Sequence, residues 1–441
     1  MIDLRLTATD MSALCKDLLS EDLERCAVLL ASRSASGRES LLVREVILPE
    51  ASDYAKRSRI DVELKPEFVA RITKRAKDSA LSLVFVHSHP NASPHFSRTD
   101  DEGEQRLSAF LNMRGLLAPH ASIVVSPRGI HARILGGNEP IRVVSAGELL
   151  TIEFDPNLGE ATADPKFDRQ VRALGADGQQ VLQTLRVGIV GLGGTGSIAV
   201  QQLAHLGVQD FVLIDPDYVD LTNLNRVVGT GAQDVGHPKV NIAERHILSI
   251  APVAKVNPVF GDVTYANIAN ELSSVDIIVC CTDSHGSRSV VQQVAYQYLI
   301  PCIDIGSTIT TQDGQITGIF GRVQLLGPDQ ACLWCSGLLN SEQVRRDLMS
   351  PFERKADPYI QGAHEPAPAV ISLNGTVVSL AITMLLGIVT PVPVSPRYLI
   401  YNATASTLRP VHAIPSENCF ICSRQGVLAR GNKQVLFARQ D

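Results

Sequence analysis

The sequence predicts an α/β protein built from two domains, and three features carry that prediction. Arg186 to Asp217 reads as strand, glycine-rich turn, helix and second strand, the pattern of a parallel sheet whose strands are joined by helices. At 441 residues the chain exceeds one average domain and fits roughly two or three. Between an N-terminal region, 1–152, and a C-terminal region, 166–441, residues 153–165 are rich in Pro, Gly and acid without apolar period, the composition of a linker.

A net charge of −6 and the absence of any basic run argue against nucleic acid as a partner, because phosphate backbones are held by clustered Lys and Arg. The N-terminus, MIDLRLTATDMSALCKDLL, carries acid and no long apolar core, so it does not read as a secretory signal. Thr376 to Val394 is the longest apolar stretch, but Ser379, Thr383, Gly387, Pro391 and Pro393 interrupt it; a buried helix is expected there, with no membrane partner. Nine cysteines without an export signal point to a reducing cytoplasm, where paired Cys-x-x-Cys spacing favours metal over disulfide.

In the first region a helix is expected near Asp10 to Asp22, then strands over CAVLLAS and LLVREVILP, a helix over Pro66 to Ser79, and the strand SLVFVHSHP. His87 and His89, spaced i, i+2 at that strand's end, project to one side, and Asp100, eleven residues beyond His89, can fold back as a third protein ligand. Three ligands and an open fourth position make a catalytic zinc site, whose bound water loses its proton near neutral pH to a nearby Glu.

HSHP, with seven residues between His89 and Ser97 and two more before Asp100, resembles the signature of the JAB/MPN metalloprotease family, a cytidine-deaminase-like α/β fold. The resemblance implies that His87, His89 and Asp100 ligate the zinc and that Ser97 hydrogen-bonds the developing oxyanion. It implies a catalytic Glu upstream, with Glu24 at the matching position and Glu45 as the alternative, and removal of a ubiquitin-like protein from lysine or trimming of a tail after its C-terminal glycine. His95 and His120 are expected to be ordinary polar residues.

In the second region the turn Gly191-Leu192-Gly193-Gly194-Thr195-Gly196 follows an apolar strand and opens a helix. Glycines there permit positive φ and close approach of backbone to a phosphate, which sits at the helix's positive end; Asp215, ending the next strand, is placed for a ribose hydroxyl. FDRQVRALGADGQQVLQTLRVGIVGLGG, then DPDYVDLTNLNRVVG, GHPKV and VDIIVCCTD resemble, in order and spacing, the ThiF, MoeB and ubiquitin-activating enzyme family, over about Asp168 to Cys422. Rossmann-like folding and ATP-dependent adenylation of a peptide's terminal carboxylate are what this implies. Adenylation brings two anions together, so Arg226 and Lys239 would supply positive charge at the α-phosphorus and Asp283 would hold Mg²⁺. By the family pattern Asn223 also touches the nucleotide, and Arg169 reaches the ATP of a partner subunit in a homodimer. Ser284 stands where several relatives have Asn. A nicotinamide-dependent dehydrogenase would share the glycine turn and Asp215 but has no use for the Arg and Lys.

Cys332-Leu333-Trp334-Cys335 and Cys419-Phe420-Ile421-Cys422 are two knuckles that together form a closed, structural Zn²⁺ site. Family members that form a thioester carry a cysteine after the first knuckle, and Ser336 to Asn418 contains none. Three outcomes stay open: direct use of the acyl-adenylate, transfer to a hydroxyl such as Ser336, Ser341 or Ser350, or a cysteine from elsewhere. Asn340 to Pro368 is expected to be a mobile crossover loop. The fusion is of the type found in bacterial ubiquitin-like pathways, and the partners it implies are a ubiquitin-like or sulfur-carrier β-grasp protein and a conjugating-enzyme-like protein. Sulfur-carrier metabolism is the alternative role, and a non-catalytic dimeric scaffold a further one.

Overall fold

The computed structural model describes residues 2–35, 37–116, 119–159, 164–350 and 368–440. They fall into two units, Met1–Gly159 with Gln297–Leu299 and Val427–Val435, and Glu160–Tyr296 with Ile300–Gly426 and Leu436–Asp441.

The first unit runs β1 (Asp3–Thr7), α1 (Ala8–Leu18), β2 (Cys26–Ser34), β3 (Ser40–Ile47), the pair β4 (Tyr54–Arg57) and β5 (Val62–Leu64), α2 (Pro66–Asp78), β6 (Ser82–Ser88), α3 (Arg98–Met113), β7 (Ala121–Ser126), β8 (Gly129–Ile134), β9 (Arg142–Ala146) and β10 (Leu150–Phe154). Its main sheet has the order β10-β9-β1-β3-β2-β6-β7-β8. The near-continuous apolar run of β2 is explained by burial on both faces. Ala27, Leu29 and Ala31 join the core with Met11, Leu14 and Leu18 of α1, while Val28 and Leu30 meet Phe68 and Ile72 of α2 and Leu111 of α3. Helix α1 starts earlier than expected because Thr7 caps it, its Oγ1 accepting from Asp10 N at 3.0 Å.

Two boundaries depart from the sequence-based expectation. The proposed linker at 153–165 begins inside β10, which pairs antiparallel with β9 through Phe154 and is half-buried there, so a strand signal was masked by its polar neighbours. The last segment also divides: Val427–Val435 groups with the first unit, where Ser34 Oγ donates to Asn432 Oδ1 at 2.8 Å.

The second unit contains α4 (Asp168–Thr184), β11 (Arg186–Val190), α5 (Gly194–Leu206), β12 (Asp210–Asp215), α6 (Lys239–Ile250), β13 (Lys255–Phe260), α7 (Ala266–Asn270), β14 (Ile277–Cys280), α8 (His285–Gln297), β15 (Cys302–Gln312), β16 (Gln315–Leu326), α9 (Ser341–Leu348), α10 (Ile371–Val389), β17 (Tyr398–Asn402) and β18 (Thr407–Pro410). Strands β13-β12-β11-β14-β15 are parallel, and β16, β17 and β18 continue the sheet antiparallel. The order reverses between β11 and β14, which opens a crevice beyond their carboxyl ends, the position where ligands bind in such sheets. Helix α10 is long and apolar enough by composition to cross a membrane; here it packs on α5, β15 and β16 and buries Val377, Val378, Ala381, Met384 and Leu385. Residues 341–348 of the expected crossover loop form α9 instead, capped by Asn340, whose Oδ1 accepts from Gln343 N at 3.0 Å; 351–367 lie outside the described residues.

Candidate functional site

In the first unit, antiparallel pairing of β2 with β6 sets Cys26 opposite His87. The ladder carries on past the strand end, since Ser88 N donates to Arg25 O at 3.0 Å and Arg25 N to Ser88 Oγ at 3.0 Å. One step further, the same register brings Glu24 across from His89, with Oε1 3.8 Å from Nε2. His87 Nε2 lies 3.2 Å from His89 Nε2 and 3.1 Å from Asp100 Oδ1, and His89 Nδ1 contacts Ser93 O at 3.2 Å. Ligands 2.0–2.1 Å from a tetrahedral zinc stand about 3.3 Å apart, so the three side chains fit that ion. Glu45, by contrast, is partly exposed and paired with Arg75 at 2.7 Å.

Ser97 has a place of its own. It caps α3, with Oγ accepting from Asp100 N at 3.2 Å while Asp100 Oδ2 accepts from Ser97 N at 2.6 Å. The Ser-x-x-Asp spacing is therefore a capping box that also aims Asp100 at the histidines. Burial alone would raise the Asp100 carboxyl, but hydrogen bonds from His87 and Ser97 outweigh it and hold the group well below the usual carboxylate range. Burial, with the charge of His87 behind it, lowers His89 and favours the neutral imidazole that ligates metal. Burial drives Glu24, 6% exposed, up to about 7. His120 is structural, its Nδ1 accepting from Leu83 N at 3.0 Å.

In the second unit Gly191 adopts φ +85° with the space for a Cβ closed by Cys281 O at 2.9 Å, and a Cβ on Gly196 would stand 1.8 Å from Gly191 O. Gly193 differs: it is extended, and no atom lies within 4 Å of where its Cβ would be. No side chain caps α5 at Gly193, so the helix's first N–H groups face that open side. Asp215, 3% exposed, ties the turn to β12, since its Oδ2 accepts from Leu192 N at 2.6 Å and its Oδ1 from Asp217 N at 2.8 Å. Its carboxyl, raised by burial, thus already spends both oxygens on backbone.

Lys239 begins α6 and lines a small cavity with Leu192 and Ser197, its Nζ held by Asp217 Oδ2 at 2.7 Å. The stem of Arg226 passes 3.3 Å from the Cβ position of Gly194. Buried Asn223 closes its own turn by accepting from Asp220 N at 3.2 Å. Asp283 is exposed just past β14 and is felt electrostatically by Arg288. Arg169 stands exposed on α4 and makes no hydrogen bond or ion pair among the described residues, so nothing in this chain brings it to the glycine turn. One neighbour of the turn was not legible beforehand: Asn374, on α10, has its Nδ2 2.3 Å from the Cβ position of Gly194. It lies two residues ahead of the apolar run, Thr376 to Val394, that was read as a buried helix.

The four knuckle cysteines converge, with ligand atoms within 4.8 Å of one another and Sγ–Sγ distances of 3.5 Å for Cys332–Cys419 and 3.6 Å for Cys335–Cys422. Thiolates 2.3 Å from a tetrahedral zinc stand about 3.8 Å apart, so the set fits. Backbone N–H groups of Ser416 and Ile421 point at Cys335 and Cys419 sulfur, each at 3.4 Å, as thiolate ligands require. Cys419→Ser is expected to remove one equivalent of bound zinc per chain by metal analysis, with a lower melting temperature.

A parallel sheet with a glycine turn at its switch point and cationic side chains behind it defines a nucleotide-binding α/β protein, here joined to a unit carrying a His-His-Asp triad whose ligand atoms lie close enough to hold a metal ion. Residues 167–421 match the ThiF family, and the chain belongs to it; residues 12–135 match the prokaryotic homologs of the JAB domain. Among similar proteins, the molybdopterin-synthase adenylyltransferase of Escherichia coli is 29% identical over 266 residues, 59% of this chain and 96% of that one. The SAMP-activating enzyme E1 of Haloferax volcanii is 31% identical over 178 residues, 40% of this chain and 63% of that protein. A solved structure of E. coli MccB with AMPCPP and MccA overlaps with a TM-score of 0.48 at 19% identity, covering 60% of this chain and 75% of that one.

Proposed function

We propose that the chain adenylates the C-terminal glycine carboxylate of a β-grasp protein of the ubiquitin-like or sulfur-carrier kind, and that its first unit is a zinc peptidase acting on the same protein. The observation that carries the reading is the glycine turn, open above Gly193 and flanked by Lys239 and Arg226. The terminal carboxylate, already ionised at neutral pH, attacks the α-phosphorus of ATP; the bond to the β-phosphate oxygen breaks and pyrophosphate leaves. Lys239 and Arg226 offset the charge gathered there, and Asp283 is the proposed Mg²⁺ ligand. The names of the two enzymes just described support the substrate class.

In the first unit His87, His89 and Asp100 would hold zinc, which when bound supplies an acidic water. Glu24, with its carboxyl near neutrality beside His89, takes a proton and returns it to the leaving amine. Mixing the protein with ATP, labelled pyrophosphate and a panel of β-grasp proteins should give exchange with one of them, dependent on its terminal glycine. Absence of exchange across the panel, with ATP bound, would sink the reading. Cleavage of a tail extended beyond that glycine should vanish with chelator and return with zinc.

A further inference from the structure

Helix α10 turns one polar, buried side chain toward the glycine turn. Asn374 is 3% exposed, and its Oδ1 accepts a hydrogen bond from Ser307 Oγ of β15 at 3.2 Å. That bond fixes the amide so that Nδ2 faces Gly194, 2.3 Å from the Cβ position. Among the described residues Nδ2 has no hydrogen-bond partner. This unpartnered donor is not sealed from solvent, so a ligand laid over the turn can reach it. Three features converge at that point: the uncapped N-terminus of α5, the open side of Gly193, and the stem of Arg226 across Gly194.

We propose that Asn374 is a nucleotide-binding residue whose Nδ2 donates to a phosphate oxygen of ATP held over the glycine turn. The inference rests on the adenylation reading and deepens it by adding a neutral donor from α10, the helix packed against α5. An amide suits the place because its direction is set by Ser307 and it adds no charge that could trap the departing pyrophosphate. Gly194 is required because a methyl group there would displace that amide.

The test compares MgATP affinity, measured by calorimetry on the full chain without a β-grasp protein, for wild type, Asn374→Ala and Asn374→Asp. Aspartate keeps the acceptor for Ser307 but replaces the donor with a charge that repels phosphate; alanine loses both bonds and repels nothing. Loss of one hydrogen bond to a charged group predicts about 10-fold weaker binding for alanine and a larger loss for aspartate. A purely structural role predicts the reverse order, with alanine the worse. Equal affinity in all three, or alanine worse than aspartate, overturns the proposal, as does an unchanged ATP affinity with a raised KM for the β-grasp protein, which would assign Nδ2 to the substrate carboxylate. If aspartate melts early, Asn374→Ser carries the same comparison, and wild-type affinity there is the overturning result. Wild-type protein that fails to bind MgATP at all would count against the adenylation reading instead.

Discussion

Glu24→Gln is expected to stop peptide cleavage and, at the same time, to make the metal-free protein more stable at pH 8. The two effects have one origin. Burial raises the Glu24 carboxyl to about 7, so the folded state prefers the protonated form more strongly than the unfolded chain does. For a carboxyl raised in this way the cost of ionisation is absent below the unfolded value near 4.5, grows as pH rises toward about 7, and is constant above it. A glutamine never ionises, which relieves about 1–3 kcal/mol at pH 8 and leaves stability at pH 4 nearly unchanged. Cleavage of a tail-extended β-grasp substrate should fall by about 10²–10⁴, the usual worth of a positioned proton acceptor. Retained turnover, or a melting temperature at pH 8 below that of the parent, would remove Glu24 from the role.

Gly196→Ala and Gly193→Ala should differ sharply although both alter the same turn. The new methyl at 196 meets the backbone carbonyl oxygen of Gly191 at 1.8 Å, an atom that cannot swing aside as a side chain would, and Gly191 is itself confined to φ +85° beneath Cys281. Relief would require reopening the start of α5, so ATP binding should be lost and stability should fall by about 1–3 kcal/mol or more. At 193 the methyl meets nothing and the backbone is extended, so the melting temperature should hold while ATP affinity falls, because the space filled is the ligand's. Calorimetric titration with ATP and thermal melts of both variants separate the outcomes; equal melts would show that the turn tolerates crowding that this geometry forbids.

Much of this was readable from residue order, and the remainder was hidden for physical reasons. The glycine turn, the HSHP strand end and the two knuckles announce themselves because each compresses its chemistry into a few adjacent positions. The family resemblance offered Glu24 with Glu45 as the alternative, and the choice needed pairing register, since nothing in LERCAVLLAS says which residue faces His89 until Cys26 is set opposite His87. Asn374 is 67 residues from Ser307 and farther still from the glycine turn in sequence, and it stands just ahead of an apolar run whose composition announces only packing on α5 and β15. Strand β10 was lost to the same masking in reverse, with acid and proline just beyond Phe154 diluting five strand residues. The backbone bonds that Asp215 accepts from Leu192 and Asp217 were not legible, although they leave each carboxylate oxygen a lone pair for a ribose hydroxyl.

The reciprocal cap between Ser97 and Asp100 bears on how the triad acquires its ion. Because helix initiation clamps that carboxylate through bonds that need no ion, one of the three donors is positioned by folding itself, and loading is expected neither to nucleate folding nor to await it. Discrimination among divalent ions then falls to the chemistry of two imidazoles and one oxygen donor, and stripping and refilling should be reversible with the surrounding helix intact.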